Sequence, residues 1–333
     1  MPFRDPQAKA RTSFDPLARF FELEAAFESR RGFGGDRVPL RLAAANLVLA
    51  PGEAEPLVLA IEDFGARLGE GAAWYAQQSS SLNLLIAAVL IEHGDEPEPF
   101  VAEVGRVREL MREHRVRHHI TYETLAILVL RTRGQLEPIS DARVARFAAV
   151  YAAMKGQHRW LTGREDYPAC AFFVDQPGAP EHHAKRANAV YQALRKRASL
   201  WFGDPLQTAS NMLALSPLEP NELAERFAHL AAALHTAGAK VRMSEYDEVA
   251  LLCFLARPTE HIVATLIHYR DAIAERLPRM SKAYAFSLAA NLACVRMLGD
   301  DDVLGPLADV KMLLDMQTII AARAAAAAAA GAA

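Results

Sequence analysis

Six stretches of this chain carry apolar residues at i, i+4, i+7 and i+11, and each follows a shorter stretch that is apolar almost throughout. The six are Leu57, Ile61, Phe64 and Leu68; Phe100, Val104, Val107 and Met111; Ala187, Tyr191, Leu194 and Ala198; Leu223, Phe227, Leu230 and Leu234; Ile262, Leu266, Tyr269 and Ile273; and Val303, Leu307, Val310 and Leu314. A seventh, Val144, Phe147, Tyr151 and Met154, fits in a shifted register. This spacing lines four side chains along one stripe of a 3.6-residue helix. The far side carries charge, as Glu103, Arg106, Arg108 and Arg112 do.

The apolar partner stretches are 40–50, 82–91, 124–130, 168–174, 206–215, 249–255 and 283–297. Ala, Leu and Asn dominate them and β-branched residues are few, which favours helix over strand. A helix that is apolar on most sides must be covered on most sides. One helical pair cannot do that alone; pairs stacked in series can. The pairs recur every 40 residues or so, the period of HEAT-type helical repeats. Prolines near the unit boundaries, among them Pro97, Pro138, Pro177, Pro217 and Pro258, stop one helix and admit the next. We therefore expect an all-α fold, an α-solenoid-like array of about seven helical hairpins. It is either an open superhelix or a closed α/α toroid. Residues 1–13 read as a disordered leader, 14–317 as one helical-repeat domain opened by a capping helix over 14–29, and 318–333 as an alanine-rich tail.

Charge sets limits on partners. Thirty-seven basic residues against 40 acidic give a net charge of −3, which supplies no attraction for nucleic acid or an anionic membrane. No apolar run reaches the roughly 20 residues of a membrane helix, and no secretory h-region follows the polar first residues. Three well-separated cysteines, Cys170, Cys253 and Cys294, suit a reducing, cytoplasmic setting better than a disulfide framework.

Few residues point to chemistry. The glycines between Arg30 and Asp36 lack the Lys-Ser/Thr pair of a phosphate loop. His114 and His118 have the i, i+4 spacing of metal ligands, with His119, His158, His182 and His183 elsewhere, but Arg115 and Arg117 stand beside the first pair. No zincin Glu follows the first His. A closed ring of seven helical pairs is also the shape of lanthipeptide cyclases, whose zinc is held partly by an adjacent Cys-His pair. No Cys-His dipeptide occurs here. Asp300, Asp301 and Asp302 are consecutive, so they do not share a helix face and read as a cap. We expect no metal and no cofactor.

The central segment is different. Leu161-Thr162-Gly163-Arg164-Glu165-Asp166-Tyr167-Pro168-Ala169 precedes one apolar stretch, and Gly203-Asp204-Pro205-Leu206-Gln207-Thr208-Ala209-Ser210 begins the next. Asp166 or Thr162 can cap the first helix, and Asp204 repeats that logic one unit on. Gln207, Ser210 and Asn211 put polar groups in an otherwise apolar helix, where they need partners. Arg164, Asp166, Tyr167, Asp204 and Gln207 are thus candidate ligand-binding residues, expected close together at the ends of adjacent units.

These two segments resemble the bacterial family known as domain of unknown function 4003. The matching positions are Thr162, Asp166, Tyr167, Pro168, Gly203, Asp204, Leu206 and Gln207. The resemblance implies one long helical domain from about 15 to 315, and brings no activity, cofactor or catalytic residue. The expected function is a binding or scaffold protein that holds a protein, peptide or small ligand on its inner surface. The alternative is an α/α-toroid enzyme with a central cavity.

Overall fold

In a computed structural model, residues 14–30, 37–71, 80–157, 162–198, 200, 203–278 and 280–298 are described. Of these, 79% are helical and none lies in a strand. The α-helices among them are α1 (Pro16–Arg30), α2 (Val38–Asn46), α3 (Ala54–Gly71), α4 (Ser80–His93), α5 (Pro97–Glu113), α6 (Ile120–Arg133) and α7 (Asp141–Gln157). There follow α8 (Tyr167–Phe173), α9 (Pro180–Arg197), α10 (Asp204–Leu213), α11 (Pro220–Thr236), α12 (Tyr246–Leu252), α13 (Thr259–Arg276) and α14 (Lys282–Leu298). Short 3-10 turns at Arg164–Asp166 and Met243–Glu245 lead into α8 and α12.

Two kinds of helix alternate, as the apolar pattern requires. In α5, Phe100, Val104, Val107 and Met111 are fully buried while the opposite face meets solvent. In α4, every residue from 82 to 90 is buried. Odd-numbered helices pack on one another in succession from α1 to α13. Even-numbered helices form a second layer, with α2 on α4 and then α6 through α14 in order. The α4–α6 junction is tied by Asp95, just after α4, which accepts from Arg131 of α6 at 2.5 and 2.8 Å in a buried bidentate pair.

The stretch over 14–29 is more than a terminal cap. It forms α1, which packs on α2 and α3 and also against α14. Arg296 of α14 donates to the Phe14 carbonyl at 2.8 Å, and the Arg276 guanidinium lies 4.3 Å from the centre of the Phe21 ring. The leader, the Val303–Leu314 stripe, Asp300, Asp301 and Asp302, and the alanine tail lie outside the described residues.

A second repeat accompanies the apolar one. Arg106, Arg146, Arg186 and Arg226 stand 40 residues apart, one on each of α5, α7, α9 and α11. Arg106 donates to the Ile139 carbonyl at 2.6 Å. Arg146 holds the carbonyls of Val174, Gln176 and Gly178 at 2.6, 2.7 and 2.7 Å. Arg186 holds those of Ala214, Ser216 and Leu218, and Arg226 that of Leu255. Each guanidinium thus satisfies carbonyls of the loop that follows the next even helix.

Candidate functional site

Three even-numbered helices, α6, α8 and α12, begin in a shared way. Asp166 Oδ2 accepts the Gly163 N–H at 3.0 Å and closes the turn before α8. Glu245 Oε2 accepts the Arg242 N–H at 2.7 Å before α12. Glu123 Oε1 accepts the His119 N–H at 3.1 Å at the start of α6. In all three a carboxylate reaches back to an N–H at the helix entrance, one half of a capping box. This corrects the expected caps. Neither Thr162 nor Asp166 caps α8 through its own side chain in the forward direction. At α10 the cap residue is Gly203, held at φ 133°, which a side chain would strain, and Asp204 is the first helical residue.

At α10 the reaching residue is Gln207, four after Gly203, and it reaches sideways instead of back. Its Nε2 donates to Thr162 Oγ1 at 3.1 Å and to Asp166 Oδ2 at 3.4 Å. The entrances of α8 and α10 are therefore joined through buried side chains. Asp166 is only 6% exposed and Gln207 5%, so both are held inside the junction. Gln207 Oε1 is buried with no hydrogen-bond donor.

The remaining candidates go elsewhere. Arg164 is exposed and donates to the His118 carbonyl at 3.1 Å. Tyr167 is fully buried, donates to the Arg117 carbonyl at 2.8 Å, and meets Tyr151 edge-on at 4.8 Å. Burial, together with the neighbouring Tyr151 hydroxyl, pushes its phenol well above the usual range. Asp204 is exposed and takes no part in these bonds. Of the five candidates, Asp166 and Gln207 meet directly, while Arg164 and Tyr167 tie α8 to the preceding unit.

That preceding unit holds residues the sequence reading passed over. Glu123, buried, accepts from Arg108 Nε at 2.9 Å and pairs with His118 Nδ1 at 3.0 Å. His118 remains largely exposed. His119 stacks on Tyr122 at 4.3 Å, and burial, with the charge of Arg164, lowers its pKa. The available signal was the carboxylate four residues after His119. His114 instead bonds Asp141 at 2.7 Å, so the i, i+4 histidines serve different carboxylates. Among the described residues, no three His, Cys, Asp or Glu come together as a metal site. The three cysteines are buried and unpaired, and burial pushes the Cys253 thiol up to about 12. His158 lies outside the described residues.

Residues 77–325 match the model of a family described as Protein of unknown function (DUF4003). The chain belongs to this family. The matched span takes in α4 to α14 and with them the Thr162, Asp166 and Gln207 network. No curated protein and no solved structure matches the chain. Among the described residues, no helix is long and apolar enough to cross a membrane.

Proposed function

We propose that this chain is a ligand-binding helical-repeat protein whose hairpins close into a ring. The even helices line the inside, and their entrances form one binding rim. The reading rests on a single observation: Gln207 Oε1 is a buried acceptor without a donor, at the junction of two helix entrances. Such a group costs about 1–3 kcal/mol and calls for an explanation beyond packing. A ligand N–H or O–H delivered at the rim would satisfy it. Exposed Arg164 at the α8 entrance and His118 just before α6 offer further donors. The ligand is a small molecule, a peptide or a protein segment, and the unpaired cysteines suit a cytoplasmic setting.

Native mass spectrometry of protein purified without chelators tests this. Wild type should carry a co-purifying mass, and Gln207→Leu should lose it while keeping its helical spectrum. If wild type carries nothing and Gln207→Leu only raises stability, the network is structural and the proposal fails. The enzyme reading draws on the contacts of α14 with α1 and α2, since a closed ring can enclose a cavity.

A further inference from the structure

We propose that the cleft between the 238–245 loop, α13 and the start of α14 binds a small phosphomonoester, with its apolar body resting on Met280, Ala285 and Phe286. The cleft encloses about 430 Å³, within the usual range for small-molecule sites. Four cationic side chains line it, Lys240, Arg242, Arg270 and Lys282, against two carboxylates, Glu245 and Asp271.

Both carboxylates are engaged. Asp271 accepts from Arg270 at 2.6 and 2.8 Å. Glu245 is buried, and Oε2 accepts the Arg242 N–H at 2.7 Å. Among the described residues, Lys240, Lys282 and the Arg242 guanidinium have no carboxylate partner. The exposed Lys240, Arg242 and Lys282 therefore give the cleft a surplus of positive charge, which an anion relieves. The entrance of α14 adds to it. Ser281 Oγ accepts the Tyr284 N–H at 3.3 Å, and the Ser281 carbonyl accepts that of Ala285 at 3.0 Å. The N–H groups of Lys282 and Ala283 have no carbonyl within the helix to receive them, and the helix dipole favours negative charge there.

Three unpartnered cations and a helix entrance exceed what one carboxylate neutralises. A phosphomonoester carries about −1.5 to −2 at neutral pH, which matches the surplus. Buried Ala285 and Phe286, with Met280, supply an apolar wall for the rest of the molecule. None of these residues belongs to the Gln207 network, so this site stands or falls apart from the reading above.

Isothermal titration of the full chain with phenyl phosphate is the test, with inorganic phosphate and benzyl alcohol as separate arms. Phenyl phosphate should bind at one site, more tightly than phosphate, and benzyl alcohol should give no signal. Arg242→Glu and Lys282→Glu should each weaken binding about tenfold or more, while the exposed control Lys185→Glu should not. Circular dichroism would establish that the variants fold; if one does not, the other charge reversal carries the test. No binding of phenyl phosphate at millimolar concentration overturns the site. So do charge reversals that bind as wild type does, and phosphate alone binding as tightly removes the apolar half of the proposal.

Discussion

Glu248 is a buried carboxyl with an unsatisfied oxygen. It is 5% exposed, its Oε2 has no partner, and Ser287 of α14 bonds the carboxyl. Burial first, and then the neighbouring Asp247 charge, hold its pKa well above 4.5. Above pH 4.5 the native chain thus keeps a proton that the unfolded chain releases. The contribution of Glu248 to stability is fullest below that pH and is lost as pH rises toward the folded value. Glu248→Gln keeps a polar group for Ser287 and removes the ionisation. Urea midpoints measured at pH 5 and pH 8 should show the variant gaining on wild type as pH rises. Parallel curves would mean that Glu248 ionises freely in the fold. Little at this scale was legible in the sequence. Glu248 reads there as one acid among many, and Gln207 as a polar residue needing a partner. That partner, Thr162, lies 45 residues away. Local patterns carry no record of which remote side chain fills a gap.

Helices were the legible element. The 3.6-residue period marks α3, α5, α9, α11 and α13 along their buried stripes, and the uniform apolar stretches fall within α2, α4, α6, α8, α10, α12 and α14 or run a few residues past their ends. A 3-10 turn of three residues has no period to read, so the turns before α8 and α12, and the backward caps they carry, went unseen. The arginine repeat was readable, since Arg106, Arg146, Arg186 and Arg226 keep strict register with the units. Its role predicts a specific loss. Arg186→Met keeps the stem and removes the donors to the carbonyls of Ala214, Ser216 and Leu218. With Ala214 and Ser216 buried and Leu218 half-buried, the cost should be roughly 2–4 kcal/mol in chemical denaturation. Arg186→Lys should recover only part of it, because one ammonium cannot span three carbonyls in a fork. A full rescue by Lys would assign the effect to charge and not to the geometry of the clamp.

At the scale of the whole molecule, the contacts between the two ends of the described chain carry the argument. Repeat arrays in the open form touch only their neighbours, and nothing then couples the first helix to the last. Here Arg296 reaches the Phe14 carbonyl, Arg276 covers the Phe21 ring, and α14 packs against α1 and α2. The period of the sequence could not choose between arc and ring, because both stack the same units. These contacts support the proposed ring, and that proposal has a consequence in solution. Phe21→Ala combined with Arg296→Ala removes a buried ring and the donor across the junction, a loss of about 3–5 kcal/mol for the ring alone. Hydrogen exchange followed by mass spectrometry reads where that loss appears. In a closed ring, protection should fall in 16–30 and in 282–298 together, although the two segments lie at opposite ends of the described residues. The middle units, around α7 to α10, should keep theirs. Faster exchange confined to 16–30, with 282–298 unchanged when Phe21→Ala is made alone, would mean that α14 does not depend on α1, and the chain would then be an open array with a loosely attached first helix.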